Sequence, residues 1–418
     1  MKTLIKNISS LVTVGAGGKT TKSGEDMGNI GEITDGAIIF GNNIEWIGPT
    51  AEAEKLIERG DYRPEEIIDA RGKTVIPGFV DSHTHIVFGG NRSGEFARRL
   101  RGVSYQDIAA EGGGILTTMK GTREASVEQL AEKGFELAKS AMRHGTTAIE
   151  IKSGYGLTTE SEISQLRAIR RVREEMPLHV ASTFLGAHDF PPEYKQDRQK
   201  YIDIIKNEML PAVREEKLAE YCDAFIDKGY YTLDEGHQVL QAGLDHGLKL
   251  KVHCDELADV GAASLAAEMG AVSADHLLFV SDKGIEDMKK AGTVATLLPG
   301  TAYFIRMQYA NARNIIDRGA ITALSTDCNP GSSFTENMQL ILSFSVINMG
   351  MTAEEAITAA TLHGAHAIGQ ADRMGSLEPG KLANFIVCDI PSYTDMFYHF
   401  GVNHVEQTWI EGVKLELD

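Results

Sequence analysis

Two histidines one residue apart, His83 and His85, end the run VIPGFVDSHTH, with Asp81 just upstream. In a strand, residues i and i+2 share a face, so this spacing sets two imidazoles side by side. The preceding run, 75–80, is mostly apolar on both faces, as a strand buried between a core and surrounding helices would be. Such a pair at the polar end of a strand can grip one divalent metal. Alone it is weak evidence, since two surface or hydrogen-bonded histidines give the same pattern more often, so the rest of the chain must supply further ligands.

The elements that must position them alternate along the middle of the chain. Strand-like runs fall at 75–85, 146–153, 178–188, 223–227, 248–256, 271–277, 293–298 and 321–327, and apolar residues recur at helical spacing over 124–142, 160–174 and 352–366. Eight strands alternating with helices predict a (β/α)₈ TIM barrel of the α/β class over 75–369. The two ends differ from this middle. Short apolar patches broken by glycine-rich turns, as in GAIIFGNNIEWIGP, and the runs LANFIVCDI and HVEQTWIEGVKLEL read as hairpins. Neither end is long enough for a large core, so 1–74 and 370–418 are expected to build one small β-sandwich domain together.

The polar residues fall at strand ends. His83 and His85 end the first strand, Lys152 and Tyr155 lie at and beyond the second, and His188 ends the third. His253 and Glu256 occupy the end of the fifth, His276 the sixth and Asp327 the eighth. Barrel enzymes build their active sites on that face. His83, His85, His253 and Asp327 together offer three neutral nitrogens and a carboxylate, a set suited to zinc or iron, with nickel also compatible.

Composition narrows the class of function. A net charge of -18 argues against a general nucleic-acid or anionic-membrane surface. The four cysteines, Cys222, Cys254, Cys328 and Cys388, are widely spaced without a CxxC pair, which points to free thiols in a reducing compartment. With no apolar stretch of about 18 residues and no hydrophobic leader after Met1, the expectation is a soluble cytoplasmic protein.

The chain resembles the amidohydrolase superfamily and, within it, the imidazolonepropionase family. The resemblance spans nearly the whole chain and rests on VIPGFVDSHTHIVFGGNR, GTTAIEIKSGYGL, FLGAH, KVHCDE, SADHL, STDCNPGS and MGSLEPGKLANFIVCD. The HxH and EPGKLAN segments indicate the superfamily; KSGYG, FLGAH and DCNPGS are more selective. The resemblance implies a barrel with one divalent metal, zinc or iron, hydrolysing 4-imidazolone-5-propanoate to N-formimidoyl-L-glutamate in histidine degradation, and it is compatible with a homodimer. It implies His83, His85, His253 and Asp327 as metal ligands. Arg92, Tyr155, His188, Glu256, Asn329, Gly331 and Ser332 match substrate-contacting positions, and His276 matches the strand-six histidine near the reacting water. Binuclear relatives bridge two metals with a carboxylated lysine. The family pattern assigns Lys152 no such part, leaving it a substrate-contacting, supporting or simply structural residue.

The implied chemistry suits these groups. A cyclic amide needs a nucleophilic water, which a Lewis-acidic metal can activate while Asp327 takes up its proton. His276 could stabilise the developing oxyanion, and Glu256 could shuttle a proton to the departing ring nitrogen or, alternatively, serve as a helix-start carboxylate. Arg92 is the expected partner of the propanoate tail, since a guanidinium binds a carboxylate through two parallel hydrogen bonds. Arg98, Arg99 and Arg101 read as solvated charges, Tyr105 as a pocket lid or a core aromatic, and 112–114 as a flexible loop at the site. Other readings are a related deaminase, a dihydropyrimidinase-like cyclic amidase and a noncatalytic barrel scaffold.

Overall fold

The computed structural model describes residues 2–103, 107–108 and 112–417; Tyr105 lies outside the described residues. Strands from both chain ends form one continuous mixed sheet. They are β1 (Thr3–Val12), β2 (Glu32–Phe40), β3 (Ile44–Pro49), β4 (Glu66–Asp69) and β5 (Thr74–Pro77), then β14 (Phe385–Cys388), β15 (Val405–Ile410) and β16 (Val413–Lys414). The order is β16-β15-β14-β5-β1-β2-β3, with β4 also paired to β1. Ile5, Ile8, Ile38 and Phe40 from one end are buried with Phe385 and Trp409 from the other. Phe40 meets the two aromatic rings edge-on at 5.1 and 5.3 Å, so the two ends share this cluster.

Between these ends run β6 (Phe79–Asp81), β7 (Thr146–Lys152), β8 (His179–Ala187), β9 (Tyr221–Ile226), β10 (Lys249–Cys254), β11 (Ser273–His276), β12 (Val294–Leu297) and β13 (Thr322–Leu324). They pair in sequence order, each parallel to the next. This is the expected eight-stranded α/β barrel. Two of its helices open on capping boxes: Ser126 with Gln129 opens Val127–Arg143, and Thr232 with Glu235 opens Leu233–Asp245.

The expected strand 75–85 divides in two. Its first part, β5, belongs to the end sheet, and β6 alone enters the barrel. Gly78 permits the change, because a Cβ there would lie 2.2 Å from Thr147 Cγ2. His83 and His85 therefore lie beyond the strand, in the segment that closes the barrel. There Asp327 N donates to His83 O at 3.0 Å, and His85 N donates to Cys328 O at 2.9 Å. Buried Asp81 accepts hydrogen bonds from Thr326 N at 3.0 Å, from Thr326 Oγ1 at 2.6 Å and from Ser325 Oγ. The first and last barrel strands are thus joined at the point where three predicted site residues emerge.

Candidate metal centre and active site

His83, His85 and His253 converge, buried, from two sides of the barrel mouth. His85 Nε2 lies 3.3 Å from His83 Nε2 and 3.4 Å from His253 Nε2, while Asp327 Oδ1 is 3.5 Å from His83 Nε2 and 3.6 Å from His85 Nε2. Carboxylate oxygens face two of the opposite ring nitrogens: Asp275 Oδ2 is 2.7 Å from His83 Nδ1, and Asp223 Oδ2 is 3.0 Å from His253 Nδ1. Such partners keep the proton on Nδ1 and turn the Nε2 lone pair toward the site. Burial holds the His83 and His85 imidazoles well below their usual range, hence neutral. Neutral nitrogens crowded lone pair to lone pair, beside a carboxylate, fit a divalent cation.

Two site residues reach their positions through left-handed backbone. His276 has φ 80° and Asp327 φ 50°, a region that non-glycine residues rarely occupy. Continued pleating would send His276 to the same face as Ala274. The left-handed turn instead places it at the cavity, with Nδ1 3.7 Å from Glu256 Oε2. Asp327 Oδ2 accepts from Thr301 Oγ1 at 2.5 Å, and burial pushes its carboxyl up to about 7 before any cation's charge is counted.

Glu256 is not the helix-start carboxylate. That part falls to Asp255, which accepts from the backbone N–H groups of Val260, Ala262 and Ala263. Asp227 holds the Glu256 segment by accepting from Glu256 N at 2.6 Å and Leu257 N at 2.9 Å. The Glu256 side chain lines the cavity. Burial first, then the charges of Asp327 and Asp227, push its carboxyl up to about 8.

Arg92 and Tyr155 are each fixed by an acidic helix residue. Arg92 Nε donates to Glu95 Oε2 at 2.9 Å, and Glu95 also accepts from Thr117 Oγ1 and Gly114 N, so the 112–114 loop is tied to the arginine's partner. Glu162 accepts from Gly154 N, Gly156 N and Leu157 N at 3.0, 2.8 and 2.8 Å, and Gln165 Oε1 accepts from Tyr155 N at 3.1 Å. Tyr155 is thereby aimed at His188, whose ring stacks on His85 at 5.2 Å and whose Nδ1 donates to Gly154 O at 2.9 Å. Burial pushes His188 down to about 3.

In the last loop, Asn329 Oδ1 accepts from Gly331 N and Ser332 N, both at 2.8 Å. Its Nδ2 donates to Asp327 O at 2.7 Å. The Asn329 side chain thus shapes the loop, while Asn329, Gly331 and Ser332 all line the cavity. Arg99 departs from its expected solvated state: it donates to Phe304 O at 3.1 Å and Gly331 O at 3.3 Å, and it also lines the cavity. Its helix, Ser93–Leu100, turns that face inward, a choice that a run of charges does not reveal. Arg101 is exposed.

A second set of residues lies beneath the site, and of these the sequence singled out Lys152 alone. Glu150, Lys152, Asp223, Lys251 and Asp275 are fully buried on the inner faces of β7, β9, β10 and β11, where barrels ordinarily stack branched apolar side chains. Lys152 lies 2.7 Å from Glu150 Oε1 and 2.9 Å from Asp223 Oδ2, and it does not reach the cavity lining. Burial alone would lower its pKa, but Asp223, Glu150 and Asp275 hold it above the usual range. Burial likewise opposes the Asp223 charge, yet His253 and Lys152 keep that carboxyl well below its usual range. The only signal in sequence was a polar residue at alternate positions of apolar strands.

Comparison with known proteins bears on the fold and the family. Residues 74–415 match the amidohydrolase family. Imidazolonepropionase of Alkaliphilus metalliredigens (strain QYMF) is 46% identical, covering 99% of this chain and 98% of its own. Imidazolonepropionase of Shouchella clausii (strain KSM-K16) is 45% identical over 96% of this chain and 90% of its own. In fold, E. coli guanine deaminase superposes with a TM-score of 0.74 at 15% identity, covering 100% of this chain and 99% of that one. With identity at that level along essentially its full length, and with the barrel-mouth histidines in place, this chain belongs to the imidazolonepropionases of the amidohydrolase family.

Proposed function

We propose that the protein opens the ring of 4-imidazolone-5-propanoate by hydrolysis, yielding N-formimidoyl-L-glutamate in histidine degradation. One observation carries this reading: a single cavity of about 560 Å³ is lined by His85, His253, Asp327, Glu256, His276 and Arg92. Groups suited to a cation, to proton transfer and to a carboxylate tail thus face one space. The near-full-length likeness to imidazolonepropionases supports the substrate.

His83, His85, His253 and Asp327 are the proposed ligands of one divalent cation, zinc or iron, which when bound supplies Lewis acidity to a water and to the ring carbonyl. The Asp327 carboxylate takes a proton from the attacking water as its oxygen bonds to the carbonyl carbon. Neutral His276 donates to the carbonyl oxygen as charge builds there, help worth about 3 kcal/mol in comparable sites. The ring C–N bond then breaks, and Glu256 gives its proton to the departing nitrogen. Arg92 grips the propanoate through its fork of N–H groups. Tyr155 and His188 flank the ring, with Asn329, Gly331 and Ser332 forming the facing loop.

The test is turnover of imidazolone propanoate by the purified, zinc- or iron-loaded protein, with ring opening and ammonia measured separately. Ring opening without ammonia is expected. Release of ammonia would move the assignment to a deaminase, and absence of both would reject it.

Two further assignments belong to this proposal. The four cysteines are free and buried, which suits a reducing cytoplasm. A homodimer would cover the apolar outer face of helix Met338–Met349, where Ile347 is 61% exposed and Phe344 stacks on exposed Tyr303 at 4.5 Å. Sedimentation of the protein, unsubstituted and as Ile347→Glu, checks that assembly. Among the described residues no helix is long and apolar enough to cross a membrane.

A further inference from the structure

Lys152 stands behind two of the three converging imidazoles. Its Nζ is 2.9 Å from Asp223 Oδ2 and 3.7 Å from Asp275 Oδ2. Those same two oxygens face the histidines, Asp223 Oδ2 at 3.0 Å from His253 Nδ1 and Asp275 Oδ2 at 2.7 Å from His83 Nδ1. One ammonium therefore links the carboxylates that orient one imidazole from each side of the barrel.

We propose that Lys152 is a positioning residue, which aims His83 and His253 at the cation through Asp275 and Asp223; this rests on the ligand set proposed above. Each shared oxygen lies between the ammonium and an imidazole Nδ1, so the lysine limits how far the carboxylate can swing from its histidine. Asp223 is held from a second direction, since its Oδ1 accepts from His253 N at 3.1 Å. Thr183 Oγ1 hydrogen-bonds Glu150 Oε1, and that same oxygen lies 2.7 Å from Lys152 Nζ, which anchors the lysine on the side away from the histidines. Lys251 is engaged elsewhere, since its Nζ donates to Ser82 O at 2.9 Å and Ala367 O at 3.2 Å.

Charge and position make opposite demands at this residue, and the opposition makes the idea testable. Glu150, Asp223, Asp275 and Asp327 bring four formal negative charges to the centre, and Lys152 and Lys251 bring two positive ones. If Lys152 acted only as a charge, removing it would make the site more negative and tighten its hold on a cation. If it positions the ligands, removing it loosens that hold, and loss of such support typically costs about 10–100-fold in metal affinity.

The experiment measures zinc affinity by competition with a chromogenic chelator, without substrate, for the unsubstituted full-length protein and for Lys152→Met, Asp223→Asn, Asp275→Asn and Glu150→Gln. Positioning predicts weaker zinc binding in Lys152→Met and in both aspartate variants, by roughly 10–100-fold. Glu150→Gln keeps a hydrogen-bonding oxygen for the lysine and touches no imidazole, so it should weaken zinc binding less than either aspartate variant does. In turnover, Lys152→Met should lose kcat with little change in KM, because the cavity lining is untouched. Unchanged or tighter zinc binding by folded Lys152→Met would overturn the proposal. Should that variant not fold, the aspartate variants decide, and zinc binding equal to that of Glu150→Gln in both would overturn it. An unsubstituted protein that binds no zinc would overturn the ligand set itself, an outcome distinct from normal binding in the parent and in Lys152→Met alike.

Discussion

Gly331 stands so close to Arg92 that a Cβ at position 331 would lie 2.3 Å from the guanidinium Nη1. A methyl group cannot fit there without moving the arginine. Gly331→Ala should therefore raise KM for the propanoate-bearing substrate by roughly tenfold, about 1.4 kcal/mol, with metal content unchanged. Arg92→Lys should act in the same direction by keeping the charge and losing the fork. Steady-state kinetics with imidazolone propanoate and with a tail-less imidazolone check both variants. Equal losses on the two compounds would remove Arg92 from the tail.

His83→Ala and Asp327→Ala each remove a directional group from the converging set. Both should lose bound metal on dialysis and nearly all turnover. Zinc at about 100 times its dissociation constant stabilises a folded protein by about 2.7 kcal/mol, so the unsubstituted protein should melt higher with zinc added. The variants should show little of that rise. Metal analysis alongside thermal melts provides the check, and normal metal content with normal turnover would reject the ligand assignment.

Glu256→Gln keeps the shape of the side chain and removes its transferable proton. Metal should stay bound while kcat falls roughly 100-fold or more. The pH dependence follows from the direction of its shift. Burial, then Asp327 and Asp227, raise the Glu256 pKa, so the protonated, proton-donating form persists to higher pH than in a free glutamate. Activity should decline as pH rises through that raised value, and Glu256→Gln should lack this alkaline limb. A kcat profile identical in both proteins would assign the proton to another group.

Glu162 holds the loop of Tyr155 through three backbone N–H groups. In Glu162→Gln one acceptor oxygen becomes an NH₂ facing a donor, which should cost about 1–3 kcal/mol of stability. KM should rise with it as Tyr155 loses its aim, while zinc remains bound. Chemical denaturation and kinetics on the same preparation test this; an unchanged midpoint would show that the loop is held elsewhere.

The barrel strands and the converging histidines were legible because their signals are local. A strand buried on both faces reads as a short apolar run whatever it packs against, and the HxH spacing marked His83 and His85 although both lie beyond β6. Asp327 and His253 were found because each lies just beyond or within such a run, at the face where barrel sites assemble. The division of 75–85 at Gly78 was not legible. It depends on the distance from position 78 to Thr147, which no short window of sequence contains.

The residues that tertiary structure alone placed act across the barrel. Lys152 meets Asp223 and Asp275, partners from two other strands, so their pairing follows from strand order and register. His276 faces the cavity only because its backbone turns left-handed, and Arg99 only because its helix turns that face to Phe304 and Gly331. Sequence by itself marked the strand ends and the residue types gathered there, and the family resemblance supplied the chemistry they imply. The folded chain decided which charges meet in the interior, because a buried ion pair is specified by two positions brought together and neither position encodes its partner alone.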